Sequence, residues 1–255
     1  MKLSVVLATY NEEKNLPACL ESVAGWCSEI VVIDGSSRDH TIDIAQKFGA
    51  RVTVTDNPPI FHINKQKAID LARGEWILQL DADERVSREL KTEIDAAIKN
   101  PDIDGYWLPR KNYFLGRFLT KGGQYPDYTL RLYRKGKGRL PLKDVHEQAI
   151  VLGEVGYLKN PLIHMADPSF QRYIMRYKRY VDLLAQQISV QEKRINIFPL
   201  VNYLLIKPVY WFLLIYVRHK GFVDSWQGFV FAVFSGLRYP LAYIKYLTNY
   251  ARRDH

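Results

Sequence analysis

Two carboxylates one residue apart, Asp81 and Asp83, follow directly on the apolar run Trp76-Ile77-Leu78-Gln79-Leu80. Side chains along an extended chain alternate between faces, so residues two apart share one. The pair can therefore offer oxygen ligands together to a divalent cation, Mg²⁺ or Mn²⁺ by ligand type. A diphosphate is the natural partner of a cation held in that way. Two acids after a strand also suit a solvated turn, so the meaning of the pair depends on the elements that position it.

Those elements alternate regularly. Residues 3–8, 30–33, 52–55 and 76–80 are short, β-rich apolar runs, and segments 16–24, 41–48 and 64–72 between them have helical character. Such alternation predicts parallel strands joined by right-handed crossovers. Asn15 is expected to cap the first helix with Pro17 in its opening turn, Gly49 to end the second and Gly74 the third. A further helix is expected from about Ser87 to before Pro101, with Glu89 placed against its N-terminal dipole.

Ligands of open α/β sheets bind beyond the carboxyl ends of the strands. There the chain places Thr9-Tyr10-Asn11-Glu12, then Asp34-Gly35-Ser36-Ser37-Arg38-Asp39, then Asp81-Ala82-Asp83. Each alone is ordinary turn chemistry, with Ser37 a good helix cap. Converging on one edge, they point to a nucleotide site.

These motifs, in this order and at these separations, resemble glycosyltransferase family 2, whose members have the Rossmann-like GT-A fold. The resemblance is carried by Val5 to Glu12, Val31 to Asp39 and Leu80 to Asp83, is strong over about the first 150 residues, and beyond them is closest in character to the bacterial subgroup that builds lipopolysaccharide core or related envelope glycans. It implies an α/β catalytic domain, residues 1–164, with a mostly parallel sheet flanked by helices, followed by a helical C-terminal region, residues 165–255. It implies that Thr9, Tyr10 and Glu12 line the nucleoside pocket, that Asp34 accepts a hydrogen bond from the base with Asp39 close by, and that Asp81 sits near ribose and metal. Asp83 becomes the principal protein ligand of Mg²⁺ or Mn²⁺. Lys67 is a candidate for phosphate, or a solvated residue on a helix face.

The implied reaction is transfer from a nucleoside diphosphate sugar, with a UDP-sugar expected. The anomeric C–O bond breaks as negative charge grows on the diphosphate, and a cation bridging the phosphates stabilises that charge. Family 2 enzymes invert the anomeric centre, so one carboxylate must take the acceptor proton. The subgroup carries a Val-His-Glu stretch after an Arg-Leu-Tyr-Arg segment, matched by Val145-His146-Glu147 after Arg131 to Arg134. That match implies Glu147 as base, with Asp127 and Asp144 behind it. His146 is open between metal ligand, substrate contact and a hydrogen-bonded interior histidine; Arg131 and Arg134 between clamps for an acidic or phosphorylated acceptor and solvated strand-edge residues.

The chain has 255 residues, 47% hydrophobic and 13% aromatic, enough for one substantial core with a small appendage. Its opening apolar run meets Asn11-Glu12-Glu13-Lys14 too early for a signal peptide and is read as a buried strand. Cys19 and Cys27 suit a reducing compartment. Residues 1–164 carry a net charge of +1 and residues 165–255 a net of +8. The basic third is also apolar: residues 198–217 hold Lys207 as their only charge, and Phe170 to Ile188 shows a helical apolar stripe. Pro199, Pro208, Gly236, Arg238 and Pro240 make simple membrane spans awkward. In-plane or shallowly inserted helices are expected, with true spans and soluble packing as the alternatives.

The resulting expectation is a peripheral or monotopic enzyme on the cytoplasmic face of a bacterial inner membrane, acting on a lipid-linked or lipopolysaccharide-type acceptor, with self-association open. A nucleic-acid-binding protein would share the basic charge but should show a recognised motif. A sugar nucleotidyltransferase should carry a Gly-rich basic loop where this chain has Thr9-Tyr10-Asn11-Glu12. A catalytically inactive binding module would keep the nucleotide site without turnover.

Overall fold

The run Leu-Ser-Val-Val-Leu-Ala-Thr forms β1 (Leu3–Thr9), covered on both faces. Double coverage is why the run is apolar throughout and does not alternate. The structure is a computed structural model describing residues 2–141, 148–191 and 197–251. The chain divides into two compact units, Met1–Arg110 with Asp127–His164, and Lys111–Pro126 with Met165–His255.

In the first unit, β1 is followed by α1 (Leu16–Glu21), β2 (Glu29–Asp34), α2 (Thr41–Lys47), β3 (Arg51–Val54), α3 (His62–Leu71) and β4 (Trp76–Gln79). The strands lie parallel in the order β3-β2-β1-β4. Next come β5 (Glu84–Val86), α4 (Arg88–Ala97) and β6 (Gly105–Phe114); β7 (Arg117–Phe118) belongs to the second unit. The chain then forms β8 (Asp127–Arg134), β9 (Gly138–Arg139), β10 (Ile150–Val151), β11 (Val155–Tyr157) and β12 (Leu162–Asp167). Past β4 the pairing is antiparallel for β4 with β8, β8 with β6 and β12 with β5, while short β11 runs parallel to β6, which makes a mixed α/β sheet. Leu7, Val32 and Leu78 pack one side of it with α1 and α4, while Val6, Val31 and Ile77 face Ala68, Ile69 and Ala72 around α3.

The expected punctuation is partly met. Gly49 follows α2 with φ of +74°, and the Ser87 hydroxyl accepts from the Leu90 amide at the start of α4. Asn15 does not cap α1; its amide side chain donates to Glu12 Oε2 (2.7 Å). Gly74 does not end α3, which stops at Leu71. A Cβ on Gly74 would lie 2.6 Å from Ser4 Oγ and 2.8 Å from Ser4 N, so the glycine is required by the close approach of two backbones.

The second unit is mostly helical. It holds α5 (Phe170–Gln191), α6 (Ile197–Val201), α7 (Lys207–Leu213) and α8 (Ser225–Ala251). Two π-helical segments, Asn202–Ile206 and Leu214–Arg218, make α6 and α7 parts of one apolar stretch, Ile197–Arg218. By length and composition this stretch could cross a membrane. The α5 stripe foreseen in the sequence is real: Val181, Ala185 and Ile188 pack against Tyr239, Ala242 and Tyr243 of α8. Buried Asp224 accepts from the Thr120 hydroxyl (2.8 Å) and the Lys121 amide (2.8 Å), fixing residues 111–126 to the start of α8.

Candidate active site

With the order β3-β2-β1-β4, the neighbours of β1 lead off in opposite directions, and the crevice at such a switch point lies above the strands' carboxyl ends. The first and third polar clusters leave β1 and β4 there. The second leaves β2 alongside.

The β1 and β2 loops are locked to each other. Thr9 Oγ1 donates to Asp34 Oδ2 (2.8 Å), while Ser37 donates its amide to Asp34 Oδ1 (2.7 Å) and its hydroxyl to Oδ2 (2.7 Å). Asp34 is fully buried, so its visible work is to hold the loop ends together. Asn11 and Ser36 sit at φ of +54° and +64°, left-handed backbone that non-glycine residues adopt at a cost. Asn11 recovers part of it by accepting from the Arg38 amide (2.8 Å). Asp39 accepts from the Glu13 and Thr41 amides (3.1 and 3.0 Å), and the Glu12 amide donates to Thr41 Oγ1 (2.7 Å). Partial burial pushes the Asp39 carboxyl up, but the bonds from Thr41 and Glu13 outweigh it and leave it below its ordinary value. Tyr10 is left with its side chain open above the loops. Lys67 stands nearby, bonded to Thr55 Oγ1 (3.1 Å) and 3.7 Å from Asp56.

The two acids of the motif part company. β4 ends at Gln79, and the Glu84 amide donates to the Asp81 carbonyl (2.9 Å), closing a turn where the sequence reading assumed extended chain. Asp81 is held by the Lys65 ammonium and by Arg131 Nη2 (2.6 Å). The same Arg131 nitrogen reaches Glu84 Oε1 (3.0 Å), and Arg110 lies 3.6 Å from Glu84 while donating to Asp127 Oδ2 (2.9 and 2.7 Å). Lys65, Arg131 and Arg110 thus alternate with Asp81, Glu84 and Asp127. Burial would push the Asp81 carboxyl up, but Arg131 and Lys65 overcome it and hold the group well below the carboxylate range. Burial likewise lowers the Lys65 ammonium, against the opposing pull of Asp81. Asp83 faces elsewhere, with its Oδ2 at 3.6 Å from His164 Nε2.

Thr9, Tyr10, Glu12, Asp34 and Asp39 are therefore brought together, with Asp81, Asp83 and Asp127 on the same edge of the sheet. Arg131, expected at an acceptor phosphate, is instead buried and engaged by Asp81 and Glu84. Arg134 stands opposite Trp76, the first residue of β4, and so at the far edge; it donates to the carbonyls of Ile103 and Asn100 and stacks on Trp76. Asp144, His146 and Glu147 lie outside the described residues. Sequence reasoning missed Lys65, Glu84, Arg110 and His164. Lys65 left a trace: it falls on the buried stripe of Ala68, Ile69 and Ala72, where a lone charge implies a buried partner. His164 left none, because only the pairing of β12 with β5, His164 opposite Glu84, brings it to the motif.

A mixed α/β sheet flanked by helices, with polar loops at its switch point, is a GT-A-like architecture. Residues 4–151 match the model of Glycosyl transferase family 2, and the chain belongs to that family and is a glycosyltransferase. The chain is 31% identical over 248 residues to the lipopolysaccharide core biosynthesis glycosyltransferase LpsC of Rhizobium meliloti, an alignment covering 91% of this chain and 89% of LpsC. Among solved structures it shares the fold of the mannosyltransferase PcManGT from Pyrobaculum calidifontis in complex with GDP-Man and Mn²⁺ (TM-score 0.56, 13% identity, 96% of this chain and 87% of that one). It also shares that of S. aureus TarS 1-349 in complex with UDP-GlcNAc (TM-score 0.50, 17% identity, 91% and 79%).

Proposed function

We propose that the chain transfers a sugar, with inversion, from a nucleoside diphosphate sugar, a UDP-sugar first, to a lipid-linked or lipopolysaccharide-core-type acceptor at the cytoplasmic face of a bacterial membrane. The likeness to LpsC supports the acceptor class. The nucleotide sugars bound by the two structural relatives support the donor class.

The observation that carries the reading is the Asp83–His164 pair, 3.6 Å apart and largely buried at the β4 edge. A carboxylate oxygen is the donor that Mg²⁺ and Mn²⁺ prefer, and the neighbouring imidazole nitrogen would add a second. Among the described residues no group of three or more His, Cys, Asp or Glu side chains is arranged for a metal. Two protein ligands are what Mg²⁺ or Mn²⁺ needs when phosphates and water complete the shell. Asp81, already held by two cations, is better suited to fixing Lys65 and Arg131 than to ligation.

Asp83 and His164 are the residues that would hold a divalent ion, which when bound would supply positive charge against the departing diphosphate. The protein's own part is positional. The Thr9–Asp34–Ser37 bonds fix the nucleoside loops, Tyr10 offers a ring for the base, and Lys67 stands ready for phosphate. The acceptor oxygen bonds to the anomeric carbon as its bond to the diphosphate breaks, and the acceptor proton passes to a carboxylate. Glu147 is assigned that role, ahead of Asp144 and Asp127, the last of which already accepts from Arg110.

Calorimetric titration of UDP and GDP, with and without Mn²⁺, tests the reading. The expected result is UDP binding that needs the cation and disappears in Asp83→Ala. If no nucleoside diphosphate binds with cation present and no nucleotide sugar is turned over, the reading fails.

A further inference from the structure

We propose that the second unit lies in the plane of a lipid bilayer, docked through one continuous apolar face carried by Ile197–Arg218 and α8, without spanning it. This rests on the membrane setting proposed above and deepens it by naming the surface and its mode of contact. The contact itself follows from the second unit alone.

Only 11% of the most apolar part of Ile197–Arg218 is buried, so the stretch is not a core helix. Phe198, Leu205, Val209 and Leu213 are exposed on its outer side. On α8, Trp226, Phe229, Leu237, Leu241 and Ile244 are exposed at helical spacing and form a second stripe. Ring contacts of Phe229 with Phe212 (6.0 Å) and Tyr216 (5.6 Å) join the two stripes. An apolar surface of this extent marks an interaction site.

Charge selects lipid as the occupant. Lys207, the sole charge between residues 197 and 217, is turned inward, its ammonium 3.7 Å from the Tyr203 ring centroid and 5.5 Å from that of Tyr239. Between residues 198 and 217 the apolar face therefore carries no outward charge, on α8 the exposed Lys245 is paired with Asp182 of α5, and exposed Arg218, His219 and Lys220 stand at the end of the stretch, where anionic headgroups would meet them. The net charge of +8 on residues 165–255 would oppose the approach of a second copy through the same face.

Packing excludes a span. The outer side of α5 exposes Gln171, Lys178, Arg179, Gln186 and Gln187, which a span would draw into hydrocarbon. Ile197–Arg218 cannot leave the group alone, because a Cβ on Gly236 would stand 2.6 Å from the Pro208 carbonyl oxygen: the two helices are in backbone contact.

Flotation of the purified full chain on phosphatidylcholine vesicles, with and without phosphatidylglycerol, tests this. The wild type should float with the anionic vesicles, and Leu205→Ser/Val209→Ser/Leu213→Ser should reduce the bound fraction about tenfold, with its circular dichroism melt and UDP titration unchanged. In a Cys27→Ser background on vesicles, an impermeant maleimide should label Gln187→Cys and spare Val209→Cys. Protection of both would mean a span and overturn the proposal. So would a wild type that stays unbound, including one that elutes as a dimer broken by the triple variant. Lost flotation with UDP binding kept sinks the docking alone; flotation without any nucleotide binding sinks the donor reading alone.

Discussion

Arg131 Nη2 lies 2.6 Å from Asp81 Oδ2, and the same nitrogen lies 3.0 Å from Glu84 Oε1. One guanidinium thus neutralises the first acid of the Asp-x-Asp turn and a fully buried glutamate. Arg131→Met should leave Glu84 with Arg110 as its nearest remaining cation and cost about 3 to 5 kcal/mol, the usual penalty for breaking a buried pair. Urea unfolding would measure it; a loss below about 1 kcal/mol would mean the network is solvated.

The two acids should fail differently. Asp83→Ala should abolish cation-dependent UDP binding and lower the melting temperature less than Asp81→Ala, whose carboxylate holds both Lys65 and Arg131. Asp81→Ala should lower the melting temperature, because it strips the main carboxylate from Lys65. Thermal melts beside nucleotide titrations separate them, and identical behaviour would contradict the division. His164→Ala is expected to follow Asp83→Ala.

Glu29 ties the start of β2 to two neighbours, accepting from Ser4 Oγ (2.6 Å) and the Arg73 amide (2.5 Å) beside Arg51. Burial pushes its carboxyl up, but these partners outweigh that and set it below its ordinary value. The stability it supplies is therefore present above the ordinary glutamate pKa of about 4.3 and is lost as pH falls through the lower folded value. Glu29→Gln should cost about 1 to 2 kcal/mol at neutral pH and much less in acid. Urea midpoints at both pH values read the difference, and a cost independent of pH would refute the linkage.

Gly74→Ala should destabilise by roughly 1 to 3 kcal/mol, the range for overpacking. The new methyl meets Ser4 backbone, which cannot rotate away, and the Gly74 amide bond to Ser4 Oγ (2.8 Å) is strained with it. Gly49→Ala, at φ of +74° with nothing within 4 Å, tests left-handed strain without a clash.

Much of the α/β half was legible in the sequence, because unbroken apolar runs and helical spacing are local properties of a chain. So were the three strand-end clusters: a parallel sheet places every such end on one edge whatever the pairing partners. The basic, apolar character of the last third was equally plain, being composition. The charge partners were not, because they depend on register between distant segments: Arg131 meets Asp81 across 50 residues and Glu84 across 47. The sequence placed Asp81 and Asp83 side by side on an extended chain, and the bond from the Glu84 amide to the Asp81 carbonyl separated them. Gly74 looked like a helix end and proved to be a contact with Ser4, 70 residues away. Local pattern determined which elements form and which edge carries polar side chains; tertiary packing alone decided which acid is locked in an ion pair and which faces a histidine.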